Sequence, residues 1–253
     1  KVLVVQWIYS DDARPGTPAV NMPYNVARAN EVDAFFRKQS FNKTSLNFTF
    51  VPVLIRLDYT KAEYLARKDY AGEANEALAK AQRLDPAFSA AGYNRVWFAT
   101  RPAALGSTGK GELGGKNLWI ALGGGTAYSI HEFAHTYGLN HSHADYDIGN
   151  YISAPSKIRM GWVTPTDPNG FAVKSVTQPG TFRVYDENST LAAPDGFRAL
   201  QVPLSTTGWF SRQYTLSYSS LGRPANQTLW IHGAEHDRVD LTPGSIPPAP
   251  NGH

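Results

Sequence analysis

Four of the chain's seven histidines fall between His131 and His143, and residues 131–141 read His-Glu-x-x-His-x-x-Gly-x-x-His. This spacing restricts the local fold more than any other part of the sequence. Residues four apart share one face of an α-helix, so His131 and His135 present two imidazoles on the same side. Gly138 suits the left-handed turn that ends a helix, and the reversed chain can then bring back His141. Three imidazoles make a ligand set for zinc with one position left open, and Glu132 stands beside them where a general base belongs.

From average residue usage, this pattern arises by chance in on the order of one in 100,000 chains of this length. A purely structural zinc site usually has four protein ligands, mostly cysteine, and this chain has no cysteine. The pattern resembles the active-site signature of the metzincin metallopeptidases. That resemblance implies zinc on His131, His135 and His141, with Glu132 as the catalytic residue. His143 lies only two residues past His141, and spacing favours His141. His143, Asp145 and Asp147 read instead as partners that orient a ligand, or as a solvated loop.

The 253 residues are enough for one large domain or two small ones, and 42% hydrophobic content implies a sizeable core. A formal charge of +3 is too small to argue for nucleic acid or an anionic membrane as a partner. No apolar run approaches a membrane span, and without cysteine there are no disulfides. No signal segment is recognisable at Lys1, where the chain begins on the strand-like Lys1-Val2-Leu3-Val4-Val5.

Residues 2–8 form a continuous apolar run expected to be a buried strand. A helix is expected over 25–40, with Val26, Ala29, Val32, Phe35 and Phe36 on one face. Residues 46–55 read as a strand, with Pro52 marking an edge or a bulge. Thr60-Lys61-Ala62-Glu63 is a capping box that opens a helix to about Leu84, where Asp85-Pro86 stops it; Gly72 is a candidate kink. Residues 95–100 and 117–122 read as further strands, and the zinc helix is expected at 126–137. Alternating strands and helices make an α/β layout with helices packed on a twisted sheet. The metzincin resemblance places 117–122 where that family has an edge strand that pairs with extended substrate; an ordinary strand is the other reading.

Further stretches are similar to the gametolysin family of secreted metallopeptidases. They are the opening strand, residues 92–98, Gly114-Gly115-Lys116, and Ser153-Ala154-Pro155 with Met160-Gly161-Trp162. Residues 180–184, 199–203, 214–218 and 240–245 resemble the β-rich tail that gametolysin-like and immune-inhibitor-A-like peptidases share. The expected organisation is a metzincin-like catalytic domain over 1–167 and a smaller β-sandwich-like module over 168–253. That module completes the core, or binds substrate through aromatics such as Trp209 and Trp230. The methionine that metzincins place beneath the zinc corresponds to Met160, which is preferred, or has been replaced by Ile148. Tyr146 and Tyr151 are candidates for oxyanion stabilisation. His232 and His236 read as surface or hydrogen-bonded histidines.

The resemblance implies a secreted, monomeric zinc endopeptidase acting on protein or peptide, extracellular glycoprotein included. Zinc-activated water would attack the peptide bond with help from Glu132. Calcium is not called for by any Asp-rich loop. The alternative is a binding or adhesion protein on an inactive peptidase fold, against which the intact Glu132 argues.

Overall fold

The computed structural model describes residues 1–13, 22–100, 102–107, 109–120, 125–141, 146–147, 151–167, 172–189, 191, 195–205, 212–219, 228–232 and 238–240. The chain forms two compact units. The first comprises residues 1–36 and 45–139, the second 37–44 and 140–253.

The first unit carries β1 (Val2–Val5), β2 (Trp7–Ile8), α1 (Met22–Gln39, whose last turn belongs to the second unit), β3 (Phe48–Phe50) and β4 (Ile55–Arg56). After these come α2 (Lys61–Arg67), α3 (Tyr70–Leu84), β5 (Arg95–Phe98), β6 (Gly109–Gly111), β7 (Asn117–Ile120) and α4 (Thr126–Thr136). Five strands make one mixed sheet in the order β3-β1-β5-β7-β6. The first four run parallel, and β6 pairs antiparallel with β7.

Every residue of β1 is buried, as expected for a strand covered on both faces. Leu3 and Val5 point into a cluster with Val96, Phe98, Trp119 and the α3 alanines Ala74, Ala77 and Ala81. On the opposite face Trp97 and Phe48 meet Phe133 of α4 edge to face, at 5.7 and 5.9 Å between ring centroids. Phe36 of α1 stacks on Tyr137 at 5.0 Å and also reaches Phe133. The aromatic side of α4 is therefore fixed to the sheet, which leaves its histidine side to the site.

Several local expectations need correction. The strand expected over 46–55 is interrupted at Pro52, with β3 before it and β4 pairing separately with β2. The helix expected over 60–84 is two helices. Its capping box forms as read, with Thr60 and Glu63 bonding each other's backbone N–H, but Lys68 adopts φ 54° and ends α2. Asp69 then caps α3 through the Gly72 N–H, so Gly72 takes part in a helix start and not in a kink. In α1, Ala29, Val32 and Phe36 are buried as expected, whereas Val26 is exposed. The substrate-edge reading of 117–122 is also wrong for this sheet: β7 is an interior strand, and β6 is the edge.

The second unit contains the strand pair β8 (Tyr146–Asp147) and β9 (Tyr151–Ile152), the short helix α5 (Ala154–Arg159) and a second five-stranded sheet. That sheet runs β10 (Val173–Ser175), β11 (Ala199–Ser205), β12 (Arg212–Ser219), β13 (Thr228–His232) and β14 (Arg238–Asp240) in spatial order. Among the described residues it is one sheet, not the two facing sheets of a sandwich. The units also divide at 139/140 and not at 167/168. Ala154 and Val163 pack with Phe41, Val173 and Ala199, so the segment after β9 shares the second unit's core.

Lys157 of α5 is fully buried in that unit. Its Nζ donates to the Glu187 carbonyl oxygen at 2.6 Å and to Asn188 Oδ1 at 3.0 Å, while the Ala154 N–H donates to Glu187 Oε2 at 2.9 Å. Burial pushes the Lys157 ammonium down and the Glu187 carboxyl up from their ordinary values, and the attraction between the two charges opposes both shifts. Among the described residues, no helix is long and apolar enough to cross a membrane.

Candidate metal centre

The end of α4 builds the site. Gly138 takes φ +85°, its N–H donates to the His135 carbonyl at 2.8 Å, and the Leu139 N–H reaches back to the Ala134 carbonyl at 3.2 Å. These two bonds are the Schellman helix stop, and they reverse the chain directly after the second histidine. The reversal places the Leu139 carbonyl oxygen 2.7 Å from His135 Nδ1. A carbonyl can only accept, so Nδ1 carries the proton and Nε2 presents its lone pair.

His131 Nε2 lies 3.2 Å from that Nε2, with the two rings nearly perpendicular at 86°. Tetrahedral zinc with Zn–N bonds near 2.0–2.1 Å requires ligand nitrogens about 3.3–3.4 Å apart. The helix alone therefore sets the first two donors close to the spacing that a tetrahedral ion needs. His141 completes the group: donor atoms of His131, His135 and His141 all lie within 4.8 Å of one another, and this is the one such group of His, Cys, Asp or Glu among the described residues. His135 is buried, His131 half-buried and His141 exposed. These three imidazoles could hold a metal ion.

Glu132 is 7% exposed, and the strand above it is responsible. A Cβ on Gly109 of β6 would stand 2.8 Å from Glu132 Oε1, and one on Gly111 would overlap the Glu132 backbone oxygen and come within 2.8 Å of His135 Cβ. Only a strand without side chains on its inner face can lie this close to α4. Burial raises the Glu132 carboxyl to about 7, against the opposing pull of a hydrogen bond from the Gly111 N–H. Gly114, in the turn after β6, donates its N–H to the His135 carbonyl at 2.8 Å and ties the hairpin to the helix end. Below the site, Arg95 Nε donates to Thr136 Oγ1 at 2.6 Å and the guanidinium lies over the Tyr137 ring.

The structure brings donor atoms of the three histidines named from spacing within 4.8 Å of one another, and it sets the Glu132 carboxyl group against Gly109 of β6. Gly109 and Gly111 were not singled out, although an x-Gly-x-Gly alternation within the glycine-rich 105–115 segment is the sequence trace of a strand pressed against another element. Met160 ends α5 in the second unit, half-buried. Tyr146 and Tyr151 lie in β8 and β9, Trp230 and His232 in β13; His143, Asp145, Ile148, Trp209 and His236 lie outside the described residues. Comparison with protein-family models, with curated proteins and with solved structures finds no match to this chain.

Proposed function

We propose that this chain is a secreted zinc endopeptidase of the metzincin type that resembles the gametolysin family. The observation that carries the reading is the pair of Nε2 atoms 3.2 Å apart on one helix, with the third histidine's donor within 4.8 Å of both histidines' donor atoms. A zinc ion held by His131, His135 and His141 would polarise a scissile carbonyl and acidify water.

Glu132 is the general base, and then the acid. Its carboxylate takes the proton from the attacking water and delivers it to the departing amine nitrogen. The sheet order adds support from a second direction. Glu112 donates its N–H to Asn117 across the hairpin, so by antiparallel alternation the peptide groups of Gly109 and Gly111 point away from β7; there Ser107 Oγ donates to the Gly109 carbonyl and the Gly111 N–H donates to Glu132, bonds that an incoming strand would exchange for its own. An extended polypeptide laid on that edge brings its peptide bonds past Glu132.

The test is hydrolysis of casein by the purified chain, with and without a chelator, alongside Glu132→Gln. Hydrolysis that chelator and substitution both abolish supports the proposal. Zinc bound without hydrolysis would favour a binding protein on this fold.

A further inference from the structure

The inner face of β6 has no side chains, and what it meets is the carboxyl group itself. The atoms nearest a Cβ on Gly109 are Oε1, Cγ and Cδ of Glu132, at 2.8, 3.1 and 3.2 Å. All three belong to one side chain, and none belongs to the helix backbone. At Gly111 the opposite holds, since the backbone oxygen of Glu132 and Cβ of His135 come first. The two glycines therefore divide the work: Gly111 lets the strand approach the helix, and Gly109 leaves the volume in which the carboxyl group sits. Lys110, between them, turns to the other side and places its ammonium over the Tyr70 ring at 4.5 Å, which holds the strand from its far face.

We infer that Gly109 is a positioning residue for Glu132: the missing side chain fixes where the carboxylate lies relative to the histidine donors. The inference rests on the peptidase reading for its kinetic consequence and on the contact alone for its structural one. A methyl group at 109 meets Glu132 first and pushes its carboxyl group out of its place, and the three atoms nearest that methyl group include none of the histidines. Gly109→Ala is thus a variant that moves the base and spares the ligands.

The experiment is a double-substitution cycle on the whole chain, with Gly106→Ala as the reference for a glycine in the same segment whose Cβ would meet nothing within 4 Å. In metal-free protein, Gly109→Ala is expected to lower the Tm by about 3–8 °C relative to Gly106→Ala, as overpacking does. In a Glu132→Ala background, where the three contacted atoms are gone, that loss should shrink to within about 1–2 °C. In the zinc-loaded chain, Gly109→Ala should keep zinc at the wild-type ratio and KM within about twofold while kcat falls at least tenfold, as a displaced base predicts. An equal Tm loss in both backgrounds would overturn the inference, as would wild-type kcat in Gly109→Ala. Zinc lost together with kcat would also overturn it, since the strand would then be supporting the ligands. The stability arm does not depend on catalysis, so an inactive wild type would count against the peptidase reading and leave the contact to be decided by the cycle.

Discussion

The Leu139 carbonyl oxygen sits 2.7 Å from His135 Nδ1, a contact that exists because the chain reverses at Gly138. The same turn that ends the helix selects the tautomer of its second histidine and directs the chain towards the third. Capping, tautomer and ligand supply are one piece of local geometry.

Gly138→Ala should therefore damage both stability and metal binding. A side chain at φ +85° costs about 1–2 kcal/mol, and relaxing that strain moves the Leu139 carbonyl away from Nδ1. The expected result is a Tm lowered by about 2–8 °C and a zinc affinity weaker by roughly tenfold, as loss of an orienting partner gives. Competitive zinc titration with a chromophoric chelator measures the second effect.

Glu132→Gln should retain zinc and lose hydrolysis by about 10²- to 10⁴-fold in kcat, the range that general acid–base catalysis supplies. Zinc analysis beside steady-state kinetics checks it, and a variant that turns over at the wild-type rate would remove Glu132 from the mechanism.

The same carboxyl group sets a pH dependence in the metal-free chain. Its folded-state pKa is raised to about 7 by burial, so folding favours the protonated form. The stability this gives is fully present below the ordinary glutamate range near 4.5 and is lost as pH rises through about 7. Chelated wild type should lose on the order of 2 kcal/mol across that window relative to Glu132→Gln, which has no charge to bury. Urea unfolding of the two proteins from pH 4 to pH 8 reads the difference.

Phe133 holds the helix to the sheet through Phe36, Phe48 and Trp97, and it is fully buried. Phe133→Ala should cost about 3–5 kcal/mol. Because its neighbours His131 and His135 depend on the seating of α4, zinc affinity should fall with stability, which a zinc titration after thermal analysis would show.

Much of the site was legible in the sequence because it is local. Three candidate ligands and a candidate base within eleven residues need only a helix and a turn, and both have strong residue signals in the i, i+4 histidines and Gly138. The capping box at Thr60 was legible for the same reason. What escaped reading depends on contacts distant in the chain or on residues with no characteristic preference. The edge strand is Gly109-Lys110-Gly111, which has no apolar alternation, and its glycines are explained by a helix some twenty residues further on. The break between α2 and α3 turns on Lys68 in a left-handed conformation, which lysine rarely announces. Burial of Lys157 follows from partners at Glu187 and Asn188, thirty residues away, and so does the membership of α5 in the second unit.

The most direct test of the central claim is metal content by elemental analysis of wild type and His141→Ala, purified in parallel without chelators. The account predicts one zinc per chain in the wild type and a clear loss in the variant. A wild type without zinc, or a His141→Ala variant that binds it undiminished, would contradict it.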